Sequence, residues 1–312
     1  MENYILETQL GHGSFGFVWK ATRKSDGKVV AIKEIYFGNM DKNARHMIVN
    51  EVNILRKLKS PHIVNYIDRV VDRDNQKIFI IMEFCAGGDL QSFICKTRST
   101  NSYISEEQIW LSLTEMSLAL YECHCGTEKI IHRDIKPGNI FIDSEGHIKL
   151  GDFGLSRHLI DYAKTVLGTP YYMSPEILNE KKYDEKSDIW ALGCTIYEMA
   201  TLHPPFTSFG GTDLKEHIKN DQIKRFDSRY SDSLFRIVSM MLEKDPSKRP
   251  NVKQILEYRN VKLTLKINEA RKELEKIRAK TALIRQKYAA LVKKGQVFQV
   301  KRRKHVENDE QN

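Results

Sequence analysis

The chain has 312 residues, 41% of them hydrophobic, and carries 50 Lys and Arg against 41 Asp and Glu. That length and apolar content can bury one large core or two moderate ones, which excludes a globally disordered chain. The longest clean apolar run, Ile78 to Met82, is far short of a membrane span, and Met1-Glu2-Asn3-Tyr4 shows no basic stretch leading into an apolar one. Neither membrane association nor a signal peptide is expected. Five cysteines without framework spacing suit a reducing, cytoplasmic setting, and Cys123-His124-Cys125 reads as the end of a helix, having no second ligand pair nearby. The net charge of +9 is uneven: residues 257–312 hold 16 Lys and Arg and 7 Asp and Glu, whereas residues 1–256 hold 34 of each sign. A neutral body and a basic tail predict a division near residue 256.

In chain order, Leu10-Gly11-His12-Gly13-Ser14-Phe15-Gly16-Phe17-Val18 precedes the strand-like run Val29-Val30-Ala31-Ile32-Lys33, with Asp26-Gly27 supplying turn chemistry for a hairpin. Such glycines let a backbone fold over a phosphate chain and offer it N–H donors. The triplet also fits a dinucleotide site, but there a helix should follow, and here a second strand follows. Lys33 ends an apolar strand and needs a partner. Glu51 lies in a segment whose apolar residues Ile48, Val52, Leu55 and Leu58 recur at helical spacing, closed by Pro61. By itself Glu51 reads as a solvated helix residue. Strand-like runs near Val64–Val71 and Ile78–Phe84 end at Cys85-Ala86-Gly87-Gly88, a break between two lobes. Ser105-Glu106-Glu107-Gln108 then opens a long helical pattern through Leu111, Met116 and Leu120. Few strands remain beyond Ile140–Asp143 and Ile148–Leu150. An α+β fold is implied, with a strand-rich first lobe over residues 1–84 and a helical second lobe over 85–256.

The stretch Ile131-His132-Arg133-Asp134-Ile135-Lys136-Pro137-Gly138-Asn139-Ile140-Phe141 sets a carboxylate, an amine and a carboxamide in one loop running into an apolar strand, and Gly151-Asp152-Phe153-Gly154 follows. Phosphoryl transfer asks for this set: a carboxylate to orient a hydroxyl, a cation for the moving phosphate, and oxygen ligands for magnesium. The two segments resemble the catalytic loop and metal-binding segment of the eukaryotic protein kinases. The resemblance covers residues 1 to about 256 and implies a two-lobed protein kinase fold using ATP and Mg2+. It makes Asp134 the catalytic base, Lys136 the cation at the γ-phosphoryl group, and Asn139 and Asp152 the metal ligands. Glu51 becomes the partner holding Lys33 against the α- and β-phosphates. The nucleotide site implied comprises Leu10, Gly11, His12, Gly13, Ser14, Phe15, Gly16, Phe17, Val18, Ala31, Lys33, Met82, Glu83, Cys85, Phe141 and Asp152. Backbone from Glu83 to Cys85 would read the adenine, Met82 would control the rear of the pocket, and Phe141 would form its floor.

Further roles follow from the same likeness. Lys136-Pro137 with Thr169 resembles serine/threonine rather than tyrosine kinases, with Thr169 bonding Lys136 and Asp134, and protein substrates bearing Ser/Thr acceptors are implied. Ser156, Thr165 and Thr169 are the activation-loop candidates, and Thr165 is expected to order that loop through Arg133 once phosphorylated. Glu176 is expected to form a buried pair with Arg249, and Tyr171-Tyr172-Met173 to line the pocket after the acceptor. The runs Leu150–Ser156, Gly168–Glu176 and Lys186–Cys194, with Met82–Cys85 and Phe141, are most similar to the NIMA-related (never-in-mitosis) kinases. Leu55, Tyr66, His132 and Phe153 would then stack as a spine, with Tyr66 a restraint on the resting enzyme. Cell-cycle, microtubule-organising and centrosome roles are implications of the likeness alone. Gly138 and Ser174 depart from many kinases, yet neither removes a catalytic group. The alternative reading is an inactive scaffold acting through its C-terminal helix.

Beyond Tyr258, apolar residues recur in alternating steps of three and four: Leu263, Ile267, Ala270, Leu274, Ile277, then Ile284, Tyr288 and Leu291, with Thr281 between. Residues 257–292 therefore read as a helix and a candidate coiled coil of about four heptads. With Ile267 and Ile277 at a and d, parallel self-pairing sets Lys266 against Arg271 and Lys280 against Arg285, and only Glu273 against Arg278 attracts. An antiparallel pair, an acidic partner helix and a single helix stay open. Residues 293–312, basic through Lys301-Arg302-Arg303-Lys304 and then acidic, read as an irregular tail. A nuclear-import signal is one use for it, and specific nucleic-acid binding is not expected, since no aromatics are interleaved.

Overall fold

The computed structural model describes residues 1–13, 16–38, 40–126, 128–151, 171–207 and 213–309, without the side chains of residues 13, 42–44, 47, 50, 51, 54 and 293–309. Two compact units result, Met1–Lys262 and Leu263–Asn312.

The first unit begins with strands β1 (Tyr4–Gly13), β2 (Gly16–Arg23) and β3 (Val29–Tyr36), helix α1 (Lys42–Lys57), and strands β4 (Tyr66–Asp72) and β5 (Lys77–Glu83). The strands form one antiparallel sheet in the order β1-β2-β3-β5-β4. The expected hairpin turn at Asp26-Gly27 joins β2 to β3. Period-two alternation divides the buried residues between the faces. Val30, Ile32, Phe79 and Ile81 pack on one side, while Ile35, Ile78 and Ile80 pack on the other with Ile48 and Val52 of α1. The helical spacing read there is a buried stripe on α1 through Ile48, Val52 and Leu55, and Leu58, one residue past the helix end, is buried as well.

A second core belongs to the helices α2 (Leu90–Ser99), α3 (Glu106–Cys125), α4 (Pro175–Leu178), α5 (Glu185–Thr201), α6 (Leu214–Asn220), α7 (Asp232–Met241) and α8 (Val252–Leu256). Ser105 caps α3, its hydroxyl accepting the Gln108 N–H, as the local sequence predicts. Strands β6 (Gly88–Asp89), β7 (Ile140–Ile142) and β8 (Ile148–Leu150) make a small sheet on this lobe. Val64 N–H donates to Leu150 O and Leu150 N–H to His62 O, both at 2.9 Å, which ties the segment after α1 to β8.

Gly16 shows why the glycine-rich hairpin needs its residue type. A Cβ there would stand 1.9 Å from the Glu34 backbone oxygen. Gly16→Ala should cost about 1–3 kcal/mol of stability, as overpacking does. Urea denaturation measures it, and an unchanged midpoint would refute the steric argument.

Two boundaries differ from the sequence expectation. The first unit runs to Lys262 rather than residue 256, because Val261 is fully buried in the helical core and Tyr258 stacks on Trp110 with ring centroids 6.1 Å apart. The tail over 293–309 is not irregular but continues helix α9 (Arg259–Asp309). No proline follows Pro250, and the segment is rich in Lys, Arg and Gln, which hold a helix well. No helix among the described residues is long and apolar enough to cross a membrane.

Candidate active site

The loop from Ile131 to Asn139 leaves α3 and ends in a single 3-10 turn, Pro137–Asn139, before β7. Its geometry centres on Asp134. Lys136 Nζ donates to Asp134 Oδ2 at 2.8 Å, and Asn139 Nδ2 donates to both Asp134 O and Asp134 Oδ2, each at 2.8 Å. Those two acceptors fix the amide: nitrogen faces Asp134, leaving Oδ1 as the atom able to meet a hard cation. Asn139 is buried, while the Lys136 side chain is 41% exposed, so the amine can reach a ligand that the carboxamide only abuts.

Buried groups hold this loop. Asp188, fully buried on α5, accepts the His132 and Arg133 N–H groups and pairs with His124 Nε2, all at 2.9 Å. His132 Nε2 donates to Gly151 O at 2.9 Å, and its Nδ1 accepts the Asp134 N–H at 3.3 Å. These two bonds specify the Nε2–H tautomer, because a carbonyl can only accept. Gly151 N–H donates to Asn139 O at 3.0 Å. A Cβ on Gly151 would lie 2.6 Å from Phe141 Cε2, so only glycine lets the chain pass this ring. The backbone of Asn139 is thus laced to the residue preceding Asp152. Arg133 adopts φ +69°, a left-handed conformation that a non-glycine residue holds only where its surroundings impose it.

On the larger sheet, β2 pairs Val18 with Lys33, and β5 pairs Ile80 with Lys33 and Met82 with Ala31. Val18, Ala31, Lys33 and Met82 therefore share one face, the face on which α1 packs. Gly11 and His12 pair with Val18 and Phe17, and the His12 and Phe17 rings meet edge-on at 5.1 Å. Leu10 is exposed on β1. Leu55 and His132 are buried, and Tyr66 packs against both cores with its phenol pushed up by burial. Burial likewise pushes the Cys85 thiol up to about 12, so that thiol is not a nucleophile. Ser14, Phe15, Asp152, Phe153, Ser156, Thr165 and Thr169 lie outside the described residues, as does the side chain of Glu51.

Around the start of α4 the expected buried pair is present. Arg249 Nη1 donates to Glu176 Oε1 at 2.8 Å and Nη2 to Oε2 at 3.1 Å, with Arg249 fully buried. Tyr172 OH donates to Glu198 Oε2 at 2.6 Å. Burial raises the Glu198 carboxyl, and burial with the neighbouring Glu198 raises the Tyr172 phenol.

Three contributors were missed by sequence reasoning. Asp188 had no assigned role, although a carboxylate directly before the apolar Ile189-Trp190-Ala191-Leu192 was a signal that it must be paired. Glu83 was assigned through its backbone alone, yet its carboxylate accepts Lys149 Nζ at 3.0 and 3.1 Å and the Asn65 N–H at 2.6 Å. Glu198 carried no local signal.

Comparison with known proteins agrees with this geometry. The protein kinase domain profile matches residues 4–260. The chain belongs to the protein kinase family. It is 46% identical over 269 residues to the probable serine/threonine-protein kinase nek2 of Dictyostelium discoideum, covering 85% of this chain and 64% of that protein. It is 45% identical over 281 residues to the serine/threonine-protein kinase Nek2 of Homo sapiens, covering 88% of this chain and 63% of the relative. Likeness to the G2-specific protein kinase nimA of Emericella nidulans is 35% over 329 residues, covering 95% of this chain and 47% of that one. These relatives put the chain in the NIMA-related serine/threonine branch, and it spans less than two thirds of their length.

Proposed function

We propose that this chain transfers the γ-phosphoryl group of ATP to serine and threonine hydroxyls of protein substrates. The observation that carries the reading is the cluster in which Lys136 and Asn139 both converge on the Asp134 carboxylate at 2.8 Å. In this reading Asp134 accepts the hydrogen bond of the incoming hydroxyl and aims its oxygen in line with the phosphorus. Lys136, exposed enough to swing from Asp134 to the γ-phosphoryl oxygens, offsets the charge gathering there. Lys33, with Glu51 as its partner, would hold the α- and β-phosphates. Asn139 Oδ1 and Asp152 would hold magnesium, which supplies charge neutralisation at the phosphate oxygens. The face bearing Val18, Ala31 and Met82 would meet the adenine from one side and Phe141 from the other, with hydrogen bonds from the backbone near Glu83 and Cys85.

Thr165 phosphorylation would order the activation segment through Arg133, whose backbone Asp188 already anchors. A phosphate placed against an arginine forms charge-assisted hydrogen bonds worth about 1.5–3 kcal/mol each, so Thr165→Ala should lower activity about tenfold or more. Undiminished activity in that variant would remove Thr165 from the scheme. Tyr66 would oppose activation by packing inward, in a cytoplasmic enzyme acting in the cell cycle, as the name G2-specific protein kinase suggests for its relative.

The direct test is transfer of labelled phosphate from ATP with magnesium to a generic Ser/Thr protein, with the product sites mapped by mass spectrometry. Incorporation on serine and threonine is the expected result. Silence of both the wild type and a Thr165→Glu form, despite measurable ATP binding, would favour an inactive scaffold.

A further inference from the structure

Lys244, in the turn after α7, is a half-buried cation with no acid against it. Its ammonium lies over the ring faces of Phe206 at 4.1 Å and Trp190 at 5.0 Å. Both rings are buried, and they stack with centroids 5.8 Å apart. Lys244 Nζ donates to Ile218 O, one of the last carbonyls of α6, for which the helix itself supplies no donor. Among the described residues Lys244 forms no ion pair. The titratable and charged groups around it are Cys194 on α5, Asp221 just past α6, the adjacent Glu243, and Arg249. Asp221 is engaged by His217 Nδ1 at 2.6 Å, burial raises the Cys194 thiol, and Arg249 stands over the same Trp190 ring at 5.1 Å as a like charge.

Burial pushes the Lys244 amine down to about 8, so the folded chain holds this charge at a cost that a methionine of similar length avoids. What the cation adds is a joint between segments. Trp190 belongs to α5, Phe206 to the stretch after it, and Ile218 to α6. A thioether can fill the space beside the rings, but it cannot donate to Ile218 O or be drawn electrostatically to both ring faces. Two routes lead from this joint to α4. Helix α6 packs on α4, and Trp190 leads through the Arg249 guanidinium to Glu176 of α4. Helix α4 itself begins directly after Tyr171-Tyr172-Met173-Ser174.

On the phosphoryl-transfer reading given above, on which this rests, we propose that Lys244 is a positioning residue for the protein substrate. Its ammonium fastens α6 to α5 and thereby sets α4 and the run Tyr171–Met173 against the segment that carries the acceptor hydroxyl. The nucleotide end of the site lies outside its reach.

The test measures phosphate transfer from ATP with magnesium to dephosphorylated casein by the full chain. Wild type, Lys244→Met and Lys244→Arg are compared at about pH 7 and about pH 9.5, on either side of the amine's titration. At about pH 7, Lys244→Met should raise the KM for casein about fivefold or more, while the KM for ATP stays within about twofold. Lys244→Arg keeps a cation and a donor and should stay near wild type. At about pH 9.5 the wild-type amine is neutral and its casein KM should move to the Lys244→Met value, whereas Lys244→Arg, which keeps its proton, should not follow. This arginine control removes titration elsewhere in the chain or in casein. A folded-state value below the unfolded one, about 10.4, means the unfolded chain binds the proton in that window. Wild type should therefore gain stability relative to Lys244→Met between about pH 8 and pH 10, read from denaturant midpoints. If Lys244→Met does not fold, the pH comparison of wild type with Lys244→Arg decides alone. Casein KM values that agree among the three proteins at both pH values would overturn the proposal, as would an equal rise in the KM for ATP. Loss of casein affinity by Lys244→Arg at about pH 7 would overturn the role of the charge in favour of side-chain shape. Absence of transfer by every protein would sink the phosphoryl-transfer reading and this role with it.

Discussion

Replacing Asp134 by asparagine should lower kcat by about 10²–10⁴-fold, the range lost with a positioned general base, while the KM for ATP stays within a few fold. The amide keeps the size of the carboxylate and can still accept from Asn139 Nδ2, so the loop should hold its shape. What goes is the charge facing Lys136 and the ability to accept the proton of a substrate hydroxyl. The Asp134–Lys136 pair is partly exposed, with the Lys136 side chain 41% and Asp134 19% accessible. Its loss should therefore cost about 0–1 kcal/mol, and the melting temperature should barely move. Steady-state kinetics with a Ser/Thr substrate, run beside a thermal melt, separates the two effects. Retention of more than about a tenth of wild-type kcat would remove Asp134 from the catalytic role.

Breaking the buried pair at the start of α4 should do the opposite and strike stability first. Arg249→Met leaves Glu176 ionised, buried and without its two guanidinium bonds, and also strips donors from Lys186 O and Glu243 O. Stranding one partner of a buried pair costs about 3–5 kcal/mol, which at about 2–4 °C per kcal/mol for a domain of this size lowers the melting temperature by about 6–20 °C. Burial alone would raise the Glu176 carboxyl, but the hydrogen bonds and charge of Arg249 outweigh it and hold that carboxyl below its ordinary value. A folded-state value below the unfolded one means the contribution is fully present above the unfolded carboxylate value, about pH 4.3, and is lost as pH falls through the folded value. The stability gap between wild type and Glu176→Gln should accordingly be constant from neutral pH to about pH 5 and shrink below about pH 4. Denaturant midpoints at a series of pH values measure it. A gap that widened in acid would contradict the pairing.

How much of this was legible in the sequence differs from residue to residue. The groups converging at 2.8 Å on Asp134 were named from the spacing of one loop, because a short loop keeps near neighbours in sequence near in space. Ile48, Val52, Leu55 and Leu58 were read at helical spacing; the first three lie buried on α1, and Leu58 is buried one residue beyond its end. Val18, Ala31, Lys33 and Met82 were named by likeness, but it is the strand register that sets them on one face.

By itself the sequence determined which polar groups share the loop at Asp134, the helical and strand-like stretches, the Ser105 cap and the basic apolar seam of α9, since residue type and periodicity are local properties. Tertiary structure alone decided which buried charges meet. Glu176 and Arg249 are 73 residues apart, and Asp188 lies 55 and 56 residues from the backbone groups it anchors. The Glu83 carboxylate finds Lys149 across 66 residues. A local pattern can show that such a group needs a partner, because burying it unpaired is costly, but only the packing of whole elements brings one particular partner within hydrogen-bond reach.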